Sequence, residues 1–283
     1  MSGGRPAVAR GIAELAEEAR QRYGVPLVRV QVLGSGVMGS VGLASQEEAV
    51  RELVRGSWPG GRARLLVLAQ RRPRAGVYAE GPPLRVWRSP LPTSRGEREL
   101  TTELLPGDPG AALLAVFPDH LLVRAPGEAV GWVARSAAFR VGPAPDAIQS
   151  QTSWDPEQVL GSALRQLGRP YVWGGTGAEG LDCSGLVWRS FLEAGVLLPR
   201  NSRAQRLMGR RVRVSDLQPA DLVAALSRGP ARRSHVALAL GPDEVVHACS
   251  ETMAVRREPL REFQDRYQVV AVRRLAGVHR DSR

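Results

Sequence analysis

The residue best suited to chemistry in this chain is a cysteine at the predicted start of a helix. Cys183 is followed by apolar residues at helical spacing, which are Val187, Phe191 and Ala194, and Gly195 then ends the pattern. The first amides of a helix have no intrahelical partner and, with the helix dipole, favour negative charge. We therefore expect this thiol to ionise more easily than a free cysteine, whose pKa is about 8.5. The alternative interpretation is a buried structural cysteine.

Two of the four histidines lie in one predicted β-hairpin, whose strands flank a Gly-Pro-Asp-Glu turn. If the turn has an odd number of residues, with Leu240 opposite Glu244, then His247 lies opposite Ala237 and diagonal to His235. An even turn would place one imidazole on the far face. A cysteine with a histidine and a polar orienting group is the arrangement of a thiol hydrolase. This chemistry predicts the odd register.

Several short motifs follow one another between residues 155 and 275: YVWGG, DCSGLV, LPRNS, LQPADLV, and HVALALG followed by VVHA. Together they resemble the NlpC-type family of papain-like bacterial cell-wall cysteine peptidases, in the order of that family. The resemblance implies an α+β, papain-like catalytic domain over residues 153–276. In such a domain the helix carrying the cysteine packs on an antiparallel sheet carrying both histidines.

The catalytic positions of the family can be carried over residue by residue. The resemblance implies Cys183 as the nucleophile and His235 as the general base and then the general acid. It implies His247 as the group that holds the imidazole tautomer. The hydroxyl of Tyr171 would face the developing oxyanion, together with the backbone amide of the cysteine.

Three further residues are candidates for substrate binding. Asp182 and Ser202 match family positions that bind the substrate, although Ser202 also begins a pattern typical of a helix capping box. In multidomain relatives an acidic residue at the position of Glu99 helps to bind the free amine of the peptide. The alternative for Glu99 is a solvated strand charge. The same relatives have an aromatic residue where this chain has Ala129, which weakens the expected amine recognition.

The resemblance also implies a reaction. This is hydrolysis of the bond between γ-D-glutamate and a diamino acid in a peptidoglycan stem peptide, with free muropeptides in recycling as the expected substrate. Within the enzymes, the alternatives are an autolysin on intact cell wall and an amidase or acyl transferase on the same scaffold. From another class, the alternative is a non-catalytic wall-binding module.

The length of 283 residues predicts two or three domains. Residues 1–72 have an α-β-β-α-β pattern, which predicts a small α/β sandwich whose default role is packing or spacing. Residues 73–145 contain short strands broken by Pro and Gly, and they resemble a bacterial SH3-like β-barrel. A linker rich in Pro, Ala, Ser and Gln is predicted over residues 141–153.

The formal net charge is +11, and all 39 basic residues are arginine. Such a charge suits an anionic polymer, but no basic stripe alternates with aromatic residues, so we expect no nucleic-acid partner. The two cysteines make no disulfide framework. A zinc site of Cys183, His235, His247 and Cys249 is the metal alternative; because no C-x-x-C pair occurs, we expect neither a metal nor another cofactor.

The amino-terminal residues contain no charged-then-apolar segment, and no run of 18 apolar residues occurs. On this basis we expect no membrane insertion and a cytoplasmic location, with the cell envelope or an extracellular location as the alternative.

Overall fold

The computed structural model describes residues 4–23, 28–33, 35–42, 44–67, 73, 75–88, 90, 99–145, 153–228 and 230–276. Within these ranges, no helix is both long and apolar enough to cross a membrane.

The amino-terminal unit packs two helices on a three-stranded sheet. Its elements are α1 (Gly4–Tyr23), β1 (Val28–Leu33), β2 (Gly36–Val41), α2 (Ala44–Ser57) and β3 (Arg62–Val67). These elements follow one another in the order α-β-β-α-β, so the predicted pattern is confirmed. β1 and β2 are antiparallel, whereas β2 and β3 are parallel, so the connection between these two must cross over and α2 provides the crossover.

The next unit is a seven-stranded antiparallel sheet with the order β10-β4-β7-β8-β9-β5-β6. Its strands are β4 (Ala75–Ala79), β5 (Leu84–Trp87), β6 (Leu100–Leu104), β7 (Ala111–Val116), β8 (His120–Ala125), β9 (Ala129–Ala134) and β10 (Phe139–Pro143). Because β10 pairs with β4 as far as Pro143, the first residues of the predicted linker belong to a strand. Residues 146–152 of that linker lie outside the described residues. The likeness of this unit to an SH3-like barrel stays a prediction.

The first two units share one apolar cluster. Val8, Val50 and Val54 of the helices pack in the same cluster as Leu122 and Trp132 of the seven-stranded sheet. The amino-terminal unit therefore covers one side of that sheet, in keeping with a packing role.

The carboxy-terminal unit places one buried helix against a six-stranded antiparallel sheet with the order β11-β16-β12-β13-β14-β15. Its helices are α3 (Pro156–Leu164), α4 (Cys183–Glu193), α5 (Ser202–Gln205) and α6 (Leu260–Arg266). Its strands are β11 (Arg210–Val212), β12 (Leu222–Ser227), β13 (Ser234–Ala239), β14 (Glu244–Cys249), β15 (Ala254–Pro259) and β16 (Tyr267–Arg274). The predicted helix beginning at Cys183 is confirmed, as is the antiparallel sheet that carries both histidines.

Two buried polar contacts join the seven-stranded sheet to α4 and its preceding loop. Arg189 of α4 donates both terminal nitrogens to the carboxylate of Asp108, at 2.6 and 2.8 Å. The Thr176 hydroxyl donates to the carbonyl of Glu103 at 3.0 Å. A planar guanidinium binding a carboxylate through two parallel bonds fixes orientation as well as distance. The sheet is therefore held in one position beside the helix that carries the cysteine.

Candidate active site

The candidate nucleophile is positioned by the residue that precedes it. Asp182 is the N-cap of α4, and its Oδ1 accepts a hydrogen bond from the Gly185 amide at 2.6 Å. Cys183 follows as the first helical residue and is buried. Because the cap determines where α4 begins, it also determines where the sulfur lies.

A buried arginine fixes this cap. Nη1 and Nη2 of Arg200 donate to Oδ1 and Oδ2 of Asp182 at 3.0 and 2.9 Å. The Gly174 amide also donates to Oδ2, and the Ser184 hydroxyl donates to Oδ1. Both carboxylate oxygens are therefore already bound within the protein. The predicted contact of Asp182 with the substrate stays a prediction, beside this structural role.

The histidine hairpin has the odd register that the chemistry requires. Leu238 pairs with Val246, and the Leu240 amide donates to the Glu244 carbonyl at 2.8 Å. The two imidazoles consequently share one face. Nε2 of His235 lies 2.8 Å from Nδ1 of His247. The predicted register is confirmed.

A third strand adds a carboxylate that the sequence analysis missed. Oε1 of Glu258 lies 2.8 Å from Nε2 of His247, and both side chains are fully buried. The two atoms are in contact, but the angle is poor for a hydrogen bond. Glu258 is two residues beyond Arg256, which faces His247 across the strands. To place Glu258 beside His247 from the sequence, one would need the length of the turn between β14 and β15, and no turn motif defines that length.

Aromatic rings enclose the histidine pair, and these too were missed. The Tyr267 ring stacks on the His235 ring with centroids 4.3 Å apart and an interplanar angle of 8°. Phe263 of α6 contacts the His247 ring edge-to-face at 5.2 Å. The rings exclude water from the imidazoles and limit their rotation. Both belong to segments that read simply as apolar helix and strand in the sequence.

Burial controls the protonation of the thiol. Burial and the adjacent Asp182 carboxylate raise the pKa of Cys183 to about 12, against hydrogen bonds from the Val236 and Ser184 backbone. The expectation of an easily ionised thiol is therefore wrong for the resting protein, because desolvation outweighs the helix N-terminus.

The histidines are neutral for a related reason. Burial, and then the neighbouring His247 and Arg266, lower the pKa of His235 well below its usual 6.5. Burial, Arg266 and Arg256 lower the pKa of His247 to about 3. At neutral pH the resting site thus holds a thiol and two uncharged imidazoles.

Six of the seven predicted site residues line one cleft of about 430 Å³ between the seven-stranded sheet and the carboxy-terminal unit. The cleft contains Cys183, His235, Tyr171, Asp182, Ser202 and Glu99. His247 lies behind His235 and does not line it. A larger groove of about 800 Å³ follows β11 and β16. That groove contains none of the predicted site residues, so the smaller cleft is the candidate site.

Tyr171 enters the cleft from the loop before α4. Burial, followed by the nearby Cys183 and Asp182, raises the pKa of its hydroxyl. The phenol therefore keeps its proton and can donate a hydrogen bond, as its predicted position beside an oxyanion requires.

The cap interpretation of Ser202 is wrong. The N-cap of α5 is Asn201, and the Ser202 hydroxyl instead donates to or accepts from the Ser234 hydroxyl at 3.0 Å. Ser234 is the residue before His235, so Ser202 faces the cleft next to the histidine strand. Its contact with substrate stays a prediction.

Glu99 is at the end of the cleft formed by the seven-stranded sheet, where it is already paired. Nη1 of Arg88 donates to its carboxylate at 2.8 Å, and both side chains are well exposed. Ala129 lies in the core of the sheet, so an aromatic residue there would not reach the cleft, whereas Val130 lines it. Trp173, which is 54% exposed, supplies an aromatic surface in the cleft instead.

Among the described residues, no three His, Cys, Asp or Glu side chains converge as a metal site would need. Cys249 is buried, and its sulfur lies 3.9 Å from the Tyr267 hydroxyl.

The sequence profile of the NlpC/P60 family matches residues 168–274, the region that contains the cysteine helix and both histidine strands. The chain carries an NlpC/P60 domain. A probable endopeptidase of Mycobacterium tuberculosis (strain H37Rv) is 40% identical over 106 residues, which are 38% of this chain and 26% of that protein. The gamma-D-glutamyl-L-lysine dipeptidyl-peptidase of Bacillus subtilis (strain 168) is 30% identical over 126 residues, 44% of this chain and 43% of that protein.

The chain thus spans about a quarter of the length of the first curated relatives it matches. Among solved structures, an NlpC/P60 family protein from Bacillus cereus superposes with a TM-score of 0.41 at 22% identity. The superposition covers 72% of this chain and 64% of that one.

The neutral resting site predicts how Cys183 reacts with iodoacetamide. Because its pKa is raised to about 12, the thiolate fraction and the alkylation rate should rise about tenfold per pH unit from about pH 7 to about pH 9. The rate is measured by mass spectrometry, with Cys183→Ala reporting the background from Cys249. Alkylation that is already maximal at about pH 6 would contradict the neutral site and indicate a thiolate–imidazolium pair.

Proposed function

We propose that this chain is a cysteine peptidase that hydrolyses the γ-D-glutamyl–diamino acid bond of peptidoglycan stem peptides. The observation that carries the proposal is the 2.8 Å contact between Nε2 of His235 and Nδ1 of His247, in a cleft that also holds Cys183 at a helix N-terminus. That contact leaves Nδ1 of His235 as the nitrogen available to the thiol. It gives the arrangement of base and orienting group that nucleophilic catalysis needs.

The reaction follows from the neutral resting pair. As the Cys183 sulfur forms a bond to the substrate carbonyl carbon, its proton passes to Nδ1 of His235. The carbonyl oxygen becomes an oxyanion, which the Tyr171 hydroxyl and the Cys183 amide stabilise. The C–N bond then breaks while His235 returns the proton to the leaving amine. Water, deprotonated by the same nitrogen, attacks the thioester, and the C–S bond breaks to release the acid and restore the thiol.

The bond specificity is supported by a relative and by the shape of the cleft. The similar Bacillus subtilis protein is named for cleavage at a γ-D-glutamyl–lysine bond. In this chain, Arg88, Glu99 and Val130 of the seven-stranded sheet form one end of the cleft beside the catalytic domain. A cleft bounded at one end suits a short substrate, which supports free stem peptides released during recycling.

The intact wall is the second candidate substrate, and a specific observation favours it. The two carboxylates predicted to bind substrate, Glu99 and Asp182, are already paired with Arg88 and Arg200. A substrate ammonium therefore competes with an arginine at either position. Blocking the amine, as in a stem peptide still attached to muramic acid, therefore loses less binding free energy here than it would beside an unpaired carboxylate.

The proposed reaction predicts which tripeptides are cleaved. L-Ala-γ-D-Glu-meso-diaminopimelate and its L-Lys counterpart should yield L-Ala-D-Glu and the free diamino acid, detected by mass spectrometry. The matched control is the same tripeptide with an α-linked D-Glu, whose carbonyl is displaced along the chain from the sulfur. Equal cleavage of both linkages, or none of the γ-linked peptide, would contradict the bond assignment.

The Arg88–Glu99 pair predicts how strongly the enzyme prefers a free amine. We expect kcat/KM for the free tripeptide to exceed that for its N-acetyl form by about tenfold, which corresponds to about 1.4 kcal/mol. Arg88→Ala leaves Glu99 unpaired and should increase this ratio, whereas Glu99→Gln should bring it close to one. Glu244→Gln, in an exposed ion pair with Arg257, is the matched control. A ratio near one in all four proteins would show that this end of the cleft does not recognise the amine and would favour the intact wall.

A further inference from the structure

A buried carboxylate stands behind the histidine pair, on the strand beyond it. Counting from the cleft, the line runs from His235 on β13 through His247 on β14 to Glu258 on β15. Each side chain is diagonal to the next, because His247 is opposite Ala237 on one side and Arg256 on the other. Both nitrogen contacts of His247 are 2.8 Å long.

The contact between His247 and Glu258 has no competitor. Among the described residues, Nε2 of His247 and Oε1 of Glu258 make no hydrogen bond to any other group, so the only oxygen that a proton on Nε2 faces is this carboxylate, 2.8 Å away. Both side chains are completely buried, so bulk water does not compete for either atom. A buried carboxylate oxygen facing a ring nitrogen favours a proton on that nitrogen, because an ionised carboxylate can only accept.

The other carboxylate oxygen is held by arginine. Oε2 of Glu258 contacts Nη2 of Arg266, at the end of α6, and lies 3.4 Å from Nη2 of Arg256. Glu251 lies 3.6 Å from Nε of Arg266 on its outer side. Arginine has only donors, so Oε2 must remain an acceptor and Oε1 is directed towards the imidazole.

We propose that Glu258 is a positioning residue that sets the tautomers of both histidines. This inference rests on the cysteine-peptidase function proposed above. Glu258 accepts the proton of His247 Nε2, so His247 Nδ1 carries a lone pair. That lone pair accepts the proton of His235 Nε2, which leaves a lone pair on His235 Nδ1. The nitrogen that must receive the thiol proton is thereby kept free, by a residue that touches neither the substrate nor the sulfur.

The variant Glu258→Gln should reverse the direction of every hydrogen bond along this line. Because Arg266 can only donate, the glutamine must turn its carbonyl oxygen towards Arg266 and its NH2 towards His247. Nε2 of His247 then accepts, its proton moves to Nδ1, and Nδ1 donates to His235 Nε2. The remaining proton of His235 lies on Nδ1, where it blocks proton transfer from the thiol.

The first measurement is on the wild-type protein, by ¹⁵N–¹H correlation of the imidazole nitrogens near neutral pH. Both His235 and His247 should carry their proton on Nε2. A proton on Nδ1 of either ring would overturn the proposal. This readout does not depend on substrate, so it separates a failure of the proposal from a failure of the proposed function.

The second measurement compares Glu258→Gln with Arg266→Met. We expect Glu258→Gln to move both ring protons to Nδ1 and to lower kcat by about 100-fold. This is less than the roughly 10⁴-fold loss when an amide replaces the carboxylate directly beside a catalytic histidine, because one histidine intervenes. Arg266→Met leaves the carboxylate as an acceptor beside Arg256, which lies 3.4 Å away, so it should keep both tautomers and lower kcat less than Glu258→Gln does, although it lowers the stability of the fold.

If the salt bridge only stabilised the fold, the two single variants would lower kcat equally, because both break the same pair. Adding Arg266→Met to Glu258→Gln removes the nearer of the two guanidinium groups that bind the glutamine oxygen, so that oxygen can turn towards His247, and part of the native tautomers and part of kcat should return. Equal losses in the two single variants, or no recovery in the double variant while the fold is retained by circular dichroism, would overturn the proposal.

Discussion

The buried pair of Arg200 and Asp182 links the start of the cysteine helix to the seven-stranded sheet. The guanidinium of Arg200 is almost completely buried and binds both oxygens of Asp182, while its Nε donates to the Thr102 hydroxyl of the seven-stranded sheet at 3.0 Å. The Arg200 amide donates to the Gly127 carbonyl of the same sheet. One side chain thus fixes the start of the cysteine helix and the wall of the cleft together. Removing one partner of such a pair costs about 3–5 kcal/mol, because a charge is left buried and unpaired.

Two further arginine–carboxylate pairs hold buried polar groups in the described part of the chain. Arg189 with Asp108 joins the helix to the seven-stranded sheet, and Arg266 with Glu258 ends the line of histidines. Arginine suits these positions because its planar fork binds a carboxylate in one orientation and remains charged when buried.

The sequence predicted those features that depend on local pattern and on chemistry. The start of α4 could be read from the apolar spacing after Cys183, and the register of the histidine hairpin followed from the need for both imidazoles on one face. What could not be predicted depends on long-range pairing. Glu258 required the register of a further strand, and the pairing of Glu99 with Arg88 required the fold of another unit. The pKa of Cys183 was misjudged for the same reason, because a helix N-terminus is visible in sequence whereas the depth of burial is not.

If Cys183 is the nucleophile, it forms a covalent intermediate with the γ-D-glutamyl group, and that intermediate can be trapped. The protein is mixed with L-Ala-γ-D-Glu-meso-diaminopimelate, quenched in acid within the first turnover, digested and analysed by mass spectrometry. We expect an L-Ala-γ-D-Glu acyl group on the peptide containing Cys183, sensitive to hydroxylamine as a thioester is, and no product from Cys183→Ala. Product formation by Cys183→Ala at the wild-type rate, with no acyl group on the wild-type cysteine, would contradict it.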